Sequence, residues 1–421
     1  MKSILRLAWI LNAAFVCAQT PGAPSAPSIS PAEKAVLEAR RSTSSNKPET
    51  FAGYNRLALA LVQCGQETAD SSYYVAAQEA VKKALSLAPG NFDTKKVEAA
   101  LLLAEHEYPA ALEAATALNK KVPDDVTVYG LLADADIALG KYEDAEKAAQ
   151  WMMNLRPGNV PALKRAATLR DLFGDAEGSA ELLNMVLEST SPEDTRERAG
   201  VLAELGRLRL NAGETDRAEQ FLQQALRVDP KNAEALETLA AVRSAQKRYD
   251  DAALLLRQSY AAAPRTERLY LLGTALAMGK HETEAAQAFA EFEAAASAKV
   301  QQRINSNVQL VFYYADQAQK PGQALKIAEQ DYSWRRDVWT MDAYAWALHV
   351  NGRDDEARKQ IETVLATGIQ DASLFYHTAE IALNMGDRDA AARYLKQSRD
   401  LSSPGSEPAR RALSSLPLGA L

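Results

Sequence analysis

Histidines, cysteines and carboxylates are the residues of this chain that could do chemistry, and their spacing argues against most of it. His106-Glu107 and His281-Glu282 each begin the His-Glu-x-x-His pattern that sets two imidazoles on one helix face around zinc, but the fifth residues are Ala110 and Ala285. The segment from Gly273 to Lys280 has the outline of a phosphate-cradling loop. Five residues separate Gly273 from Gly279 where four are needed, and His281 stands where a Ser or Thr would hold magnesium. Cys64 has no histidine near it in sequence and is expected to be a small packing residue. The paired carboxylates Asp134 and Asp136, or Glu282 and Glu284, sit where solvated helix faces are expected. The expectation is a protein that binds rather than catalyses, with no cofactor and no metal site.

The elements that carry these residues are set by a fixed period. Pro89, Pro123 and Pro157 lie 34 residues apart, and so do Pro230 and Pro264. Each proline follows a helical pattern and is trailed by Gly-Asn, Asp-Asp, Lys-Asn or Arg-Thr, which is helix-stopping turn chemistry. Between prolines the helical period recurs twice, as in Tyr129, Leu132, Ala133 and then Ala145, Ala149, Met152, with Gly140-Lys141 dividing the runs. Each unit is therefore a helix hairpin. A coiled coil would not return proline at this interval.

The register of residues within these units resembles the tetratricopeptide repeat. The third unit has Tyr129, Leu132, Ala133, Ala145, Ala149 and Pro157; the sixth has Leu236, Leu239, Ala240, Ala252, Leu256 and Pro264. Both depart from the family pattern where the first helix usually carries Tyr, with Asp136 and Arg243 in its place. Small residues such as Ala133 and Ala145 let two helices approach closely, and a larger side chain there is expected to cost about 1–3 kcal/mol by overpacking. Looser copies extend the array. The first has Tyr54, Leu57 and Ala58, with Gln66 to Tyr73 read as an insertion before a second helix at Ala77. Extra residues also lie between Glu188 and Arg198, and the spacing slips by one near Lys280. Later units lack the proline but keep Ala345, Gly352 and Ala357, then Ala379, Gly386 and Ala391. The resemblance implies an all-α, right-handed superhelical solenoid of about ten hairpins over residues 49–400.

The ends read differently. Lys2 and Arg6 precede an apolar stretch from Leu7 to Ala18, broken only by Asn12, which is the pattern of a signal peptide over residues 1–18. Residues 19–48 are expected to be a Pro/Ser/Ala-rich tether, with a short helix begun by Ser30-Pro31-Ala32-Glu33 and running to about Arg41. Residues 401–421 are expected to form a tail or capping helix after Ser402-Ser403-Pro404. An exported chain of this kind keeps only Cys64 after cleavage, so it folds without an internal disulfide. It also has no Asn-x-Ser/Thr acceptor, which favours a bacterial envelope, periplasmic or secreted. No later segment is apolar enough to span a bilayer, so no transmembrane anchor is expected once the signal is removed. The net charge of −7 is spread without long like-charged runs, which argues against nucleic acid as a partner.

The resemblance also implies where a partner would lie: on a concave surface made by the first helix of each hairpin. By that offset Lys164, Thr168, Asp171 and Arg207 give a modestly basic stretch, whereas Tyr313, Trp339, Trp346, His349 and Tyr376 give an aromatic one. Trp334, Trp339 and Trp346 fall within thirteen residues. Exposed, these rings would suit an apolar peptide side chain or a sugar face; alternatively they pack between helices as core. Asn55/Leu59, Lys96/Ala100 and Gly130/Asp134 do not form the Lys/Asn clamp with which some relatives grip a terminal carboxylate. The expected partner is another exported protein or peptide segment, with a cell-wall or exported polysaccharide as the alternative.

Overall fold

The computed structural model describes residues 31–44, 50–68, 70–303 and 305–401. The expected signal peptide, the first part of the tether and the C-terminal tail lie outside these residues. Twenty-one helices follow one another, with no strand among the described residues. After α1 (Pro31–Ser44) come ten hairpins: α2 (Phe51–Thr68) with α3 (Ser72–Leu87), α4 (Phe92–Ala104) with α5 (Tyr108–Lys121), and α6 (Val126–Ala138) with α7 (Tyr142–Leu155). Next are α8 (Val160–Leu172) with α9 (Ala176–Ser189), α10 (Thr195–Asn211) with α11 (Thr215–Val228), and α12 (Ala233–Ala245) with α13 (Tyr249–Ala262). The last four are α14 (Thr266–Met278) with α15 (Glu282–Ser297), α16 (Val308–Phe312) with α17 (Pro321–Trp334), α18 (Val338–Val350) with α19 (Asp354–Leu365), and α20 (Ala372–Asn384) with α21 (Arg388–Leu401). No helix among the described residues is long and apolar enough to cross a membrane.

The turns explain the period. From the second hairpin on, the chain passes within each hairpin through a left-handed residue: His106, Gly140, Gly174, Gly213, Lys247, Lys280, Gln319, Gly352 and Gly386. The following amides reach back to close the helix end, as Lys141 N–H does to Asp136 O and Arg248 N–H to Arg243 O. The step from Lys247 to Lys280 is one residue short of the period, which locates the slip seen in the sequence. Between hairpins Asn91, Asp125, Asn159, Asp194, Asn232, Asp337 and Asp371 cap the next helix through their side chains. After Pro89, Pro123, Pro157 and Pro230 the polar residues thus start a helix as well as end one, whereas Arg265 after Pro264 makes no side-chain cap.

Small residues close the hairpins. Ala133, Ala145, Ala240 and Ala252 are all buried. At Gly206 an added Cβ would lie 2.7 Å from Leu222 Cγ, and at Gly273 it would lie 2.7 Å from the Phe289 ring. Two expectations need correction. The residues taken as an insertion in the first unit lengthen α2 to Thr68 and let α3 begin at Ser72, so they are almost all helical. The helix of the tether is part of the stack, because Ala32, Val36 and Ala39 are buried in the core shared with α2 and α3. In the eighth unit a π-helical turn, Tyr313–Gln317, continues α16 and displaces the register there.

Successive first helices touch, as in α2–α4, α10–α12, α16–α18 and α18–α20, whereas successive second helices stand farther apart. The coil therefore curves with the first helices inside. It also meets itself. The α4–α5 turn lies against the α15–α16 connection, where Arg303 Nη1 donates to both Glu107 carboxylate oxygens at 2.7 Å. The α6–α7 turn lies against the α17–α18 connection, with Arg336 O so close that a Cβ on Gly140 would sit 3.2 Å from it. The α8–α9 turn lies against the α19–α20 connection, where Gln370 N–H donates to Leu172 O at 2.9 Å. Each contact joins points eleven helices apart, so the coil closes one turn with a regular seam. Tyr142, Ala149 and Leu169 share a core there with Val338, Ile361 and Ile369.

Candidate functional site

The inner face carries charges that pair from one hairpin to the next. Lys96 Nζ lies 2.9 Å from Asp125, Arg165 Nε 2.7 Å from Asp134, Lys164 Nζ 3.0 Å from Glu197 and Arg207 Nη2 2.8 Å from Asp171. Arg268, almost wholly buried, donates to Glu237 at 2.8 Å and to the Ala263 carbonyl. The partners are separated by close to one repeat, so stacking brings equivalent helix positions side by side. The partly exposed pairs, Lys164–Glu197, Arg165–Asp134 and Arg207–Asp171, contribute little stability each. Their effect is to neutralise the cations of the inner face against its own carboxylates. Glu204, enclosed on α10, has its pKa raised by burial, against the pull of Arg207 and Lys164 and with the push of Asp171 and Glu197.

Between hairpins three and five this face opens into a cavity of about 700 Å³. Asp134, Ile137, Lys164, Arg165 and Thr168 line it together with Thr190, Ser191 and Glu197. Lys164 and Arg207 thus stand on neighbouring first helices, as their spacing implied, with Lys164 in the cavity wall. The contribution of Thr190 and Ser191 comes from the extra residues of the α9–α10 connection. The extra residues between Glu188 and Arg198 mark that connection in the sequence, but their types alone point to no role. Opposite charges spaced near the repeat length were the available signal for Glu197 and Arg165.

The aromatic third is arranged differently. Trp346 is 6% exposed, its Nε1–H donates to Asp316 Oδ1 at 2.9 Å, and its ring stacks on His377 with centroids 4.4 Å apart. His377 Nδ1 lies 2.9 and 3.0 Å from the two oxygens of buried Asp342. Tyr376 and Tyr313 are each 8% exposed, and the Tyr313 hydroxyl donates to Glu293 at 3.3 Å. His349 is half-buried, with Nδ1 2.6 Å from Asp354, which also accepts from Asn384. Of the five expected groove residues in this region, only Trp339 is broadly exposed, at 43%. The structure therefore brings Trp346, His349 and Tyr376 together, but as packing between α16, α18 and α20. Asp316, the acceptor of the Trp346 indole N–H, lies in the π turn. Asp371, which caps α20 beside this cluster, has its pKa raised by burial and by the Asp342 charge.

Fold and inner face together define an α-solenoid of stacked helix hairpins. Residues 209–276 match the family model described as tetratricopeptide repeat, and the chain carries such repeats, with the same turns and small residues recurring on both sides of the matched stretch. No curated protein matches the chain in sequence. Among solved structures it is similar to a thermophilic TPR protein of Thermus thermophilus, at 21% identity, 46% coverage of this chain, 98% of that one and a TM-score of 0.40. It is also similar to the human IFIT1 dimer with PPP-AAAA, at 14% identity, 89% and 95% coverage and a TM-score of 0.48. A third is a tetratricopeptide repeat protein from Parabacteroides merdae ATCC 43184, at 16% identity, 76% and 98% coverage and a TM-score of 0.34.

Proposed function

We propose that the chain is a protein-interaction scaffold of the cell envelope that holds an extended segment of another exported protein along its inner face, and that it acts by binding rather than by catalysis. The observation that carries this reading is the open cavity over hairpins three to five, whose walls present paired charges, hydroxyls and the apolar edge of Ile137. A segment bearing both acidic and basic side chains could exchange with the Lys164–Glu197 and Arg165–Asp134 pairs at little net cost, because those pairs are partly exposed. Export is supported by the pattern of the first eighteen residues. Polysaccharide binding finds less support, since stacking on a sugar needs exposed rings and Trp346, Tyr376 and Tyr313 are buried.

The test is site-specific photo-crosslinking in cells, with the probe at Thr168 in the cavity or at Gln223 on the outer helix α11. Capture of one exported protein from Thr168, lost in Lys164→Glu and absent from Gln223, is expected. Equal capture from both positions, or none from Thr168, would reject the groove. The N-terminal sequence of the mature protein should begin at Gln19; an intact N-terminus in a cytoplasmic fraction would reject export.

A further inference from the structure

We propose that His106 is the acid-sensitive catch of the seam: uptake of a proton by its ring separates the α4–α5 turn from the α15–α16 connection and lets the closed coil open. The geometry supports this on both sides of the contact. His106 occupies the left-handed turn position with φ 59°, and its ring stacks on Tyr108 with centroids 5.2 Å apart. Its Nδ1 lies 3.2 Å from Arg303 O and 3.4 Å from Arg335 Nη2. Arg335 is buried and is fixed in place by the carbonyls of Arg303 and Asn305.

The charged surroundings favour a neutral ring. From its own turn His106 has Glu105, Glu107 and Tyr108 as titratable neighbours; from the α15–α16 connection it meets Arg303; from α17 and the connection after it come Asp331, Arg335 and Asp337. Glu107 is engaged by Arg303, and Asp331 accepts from the Asn307 amide and side chain, at 3.0 and 2.7 Å. An imidazolium would therefore stand next to the Arg335 guanidinium with the nearby carboxylates already occupied. Burial first, and then Arg335, lower the His106 pKa from 6.5 to about 4, against the opposite pull of the Arg303 carbonyl next to Nδ1.

The direction of the pH effect follows from linkage. A histidine depressed in the closed form and ordinary in the open form binds more protons when open, so closure is complete above pH 6.5 and weakens as pH falls toward 4. Between pH 7.5 and 5 the open fraction should rise about thirty-fold. The three seam contacts are borne by stacked helices at constant spacing, so they should release together, as a local opening distinct from unfolding. Opening would change the pitch of the coil and with it the inner face.

Hydrogen exchange of the full mature chain at pH 7.5 and 5, corrected for intrinsic rates, tests this. Protection of the segment 366–371, which includes the Gln370 amide at the far contact, should fall about thirty-fold in the wild type while α12 and α13 keep theirs. His106→Asn and, as a second non-titrating residue suited to this backbone, His106→Gly should keep the seam closed at both pH values. Unchanged protection in the wild type overturns the proposal. So does equal loss in both variants, or parallel loss in α12 and α13.

Discussion

The Gln370 amide donates to the Leu172 carbonyl at 2.9 Å, joining the α8–α9 turn to a connection almost half the chain away. Beside it, a Cβ added at Gly174 would lie 3.3 Å from Gln370 Cβ, so this edge of the coil is in van der Waals contact with the next turn. A solenoid is usually described by nearest-neighbour interfaces alone. Here a second kind of interface links hairpins two to four with eight to ten. Ile369→Asp, at a fully enclosed position in that shared core, should lower stability by about 3 kcal/mol or more and raise the radius of gyration in solution scattering. A loss of stability with no change in dimensions would mean that the seam does not set the pitch.

Gly206 tests the close approach of two helices within one hairpin. Gly206→Ala places a Cβ 2.7 Å from Leu222 Cγ, and overpacking of this kind costs about 1–3 kcal/mol. Urea unfolding should show the loss. Gly322→Ala meets nothing within 4 Å and should leave stability unchanged or slightly raised.

Asp136 stands where the repeat usually has Tyr, and it is buried. Burial, reinforced by Asp144 and opposed by Lys141, raises its pKa from 3.8 to about 6. A carboxyl raised on folding destabilises the native state once ionised, so its contribution falls as pH climbs from 3.8 to 6 and stays low above that. Asp136→Asn should therefore raise stability by about 1–2 kcal/mol at pH 7.5 and leave it unchanged below about pH 4. Thermal unfolding at the two pH values measures this, and a variant less stable at pH 7.5 would contradict it.

Glu219 behaves in the opposite sense. Hydrogen bonds from Arg243, which replaces the other expected Tyr, hold its pKa at about 2. The stabilisation is present above the ordinary value of 4.5 and is lost as pH falls toward 2. In Arg243→Gln the Glu219 titration, followed by carboxyl NMR shifts, should move up toward its ordinary range. A titration that stays where it is in the wild type would show that Arg243 is not the cause.

Two tryptophans separate core from surface. Trp346→Ala removes a buried ring with a satisfied indole N–H and should cost about 3–5 kcal/mol. Trp339→Ala, at a 43% exposed position, should stay within about 1 kcal/mol of wild type. Comparable losses in both would place Trp339 in the core as well.

The local part of this architecture was legible in the residues. Prolines at a 34-residue interval, small residues at the close approaches and polar residues after each helix end are all short-range requirements, met within one or two turns of chain. They determined the hairpin, its repetition and the slip near Lys280. What needed the tertiary structure depends on rotation accumulated over many units. Trp346 and Tyr376 pack inward, and the indole of Trp346 meets Asp316 of the π turn from a helix thirty residues on. The curvature summed over eleven helices places His106 against Arg335 and Gln370 against Leu172. No spacing in the sequence encodes those meetings, because each hairpin contributes only a small angle and the contact appears when the angles add up to a full turn.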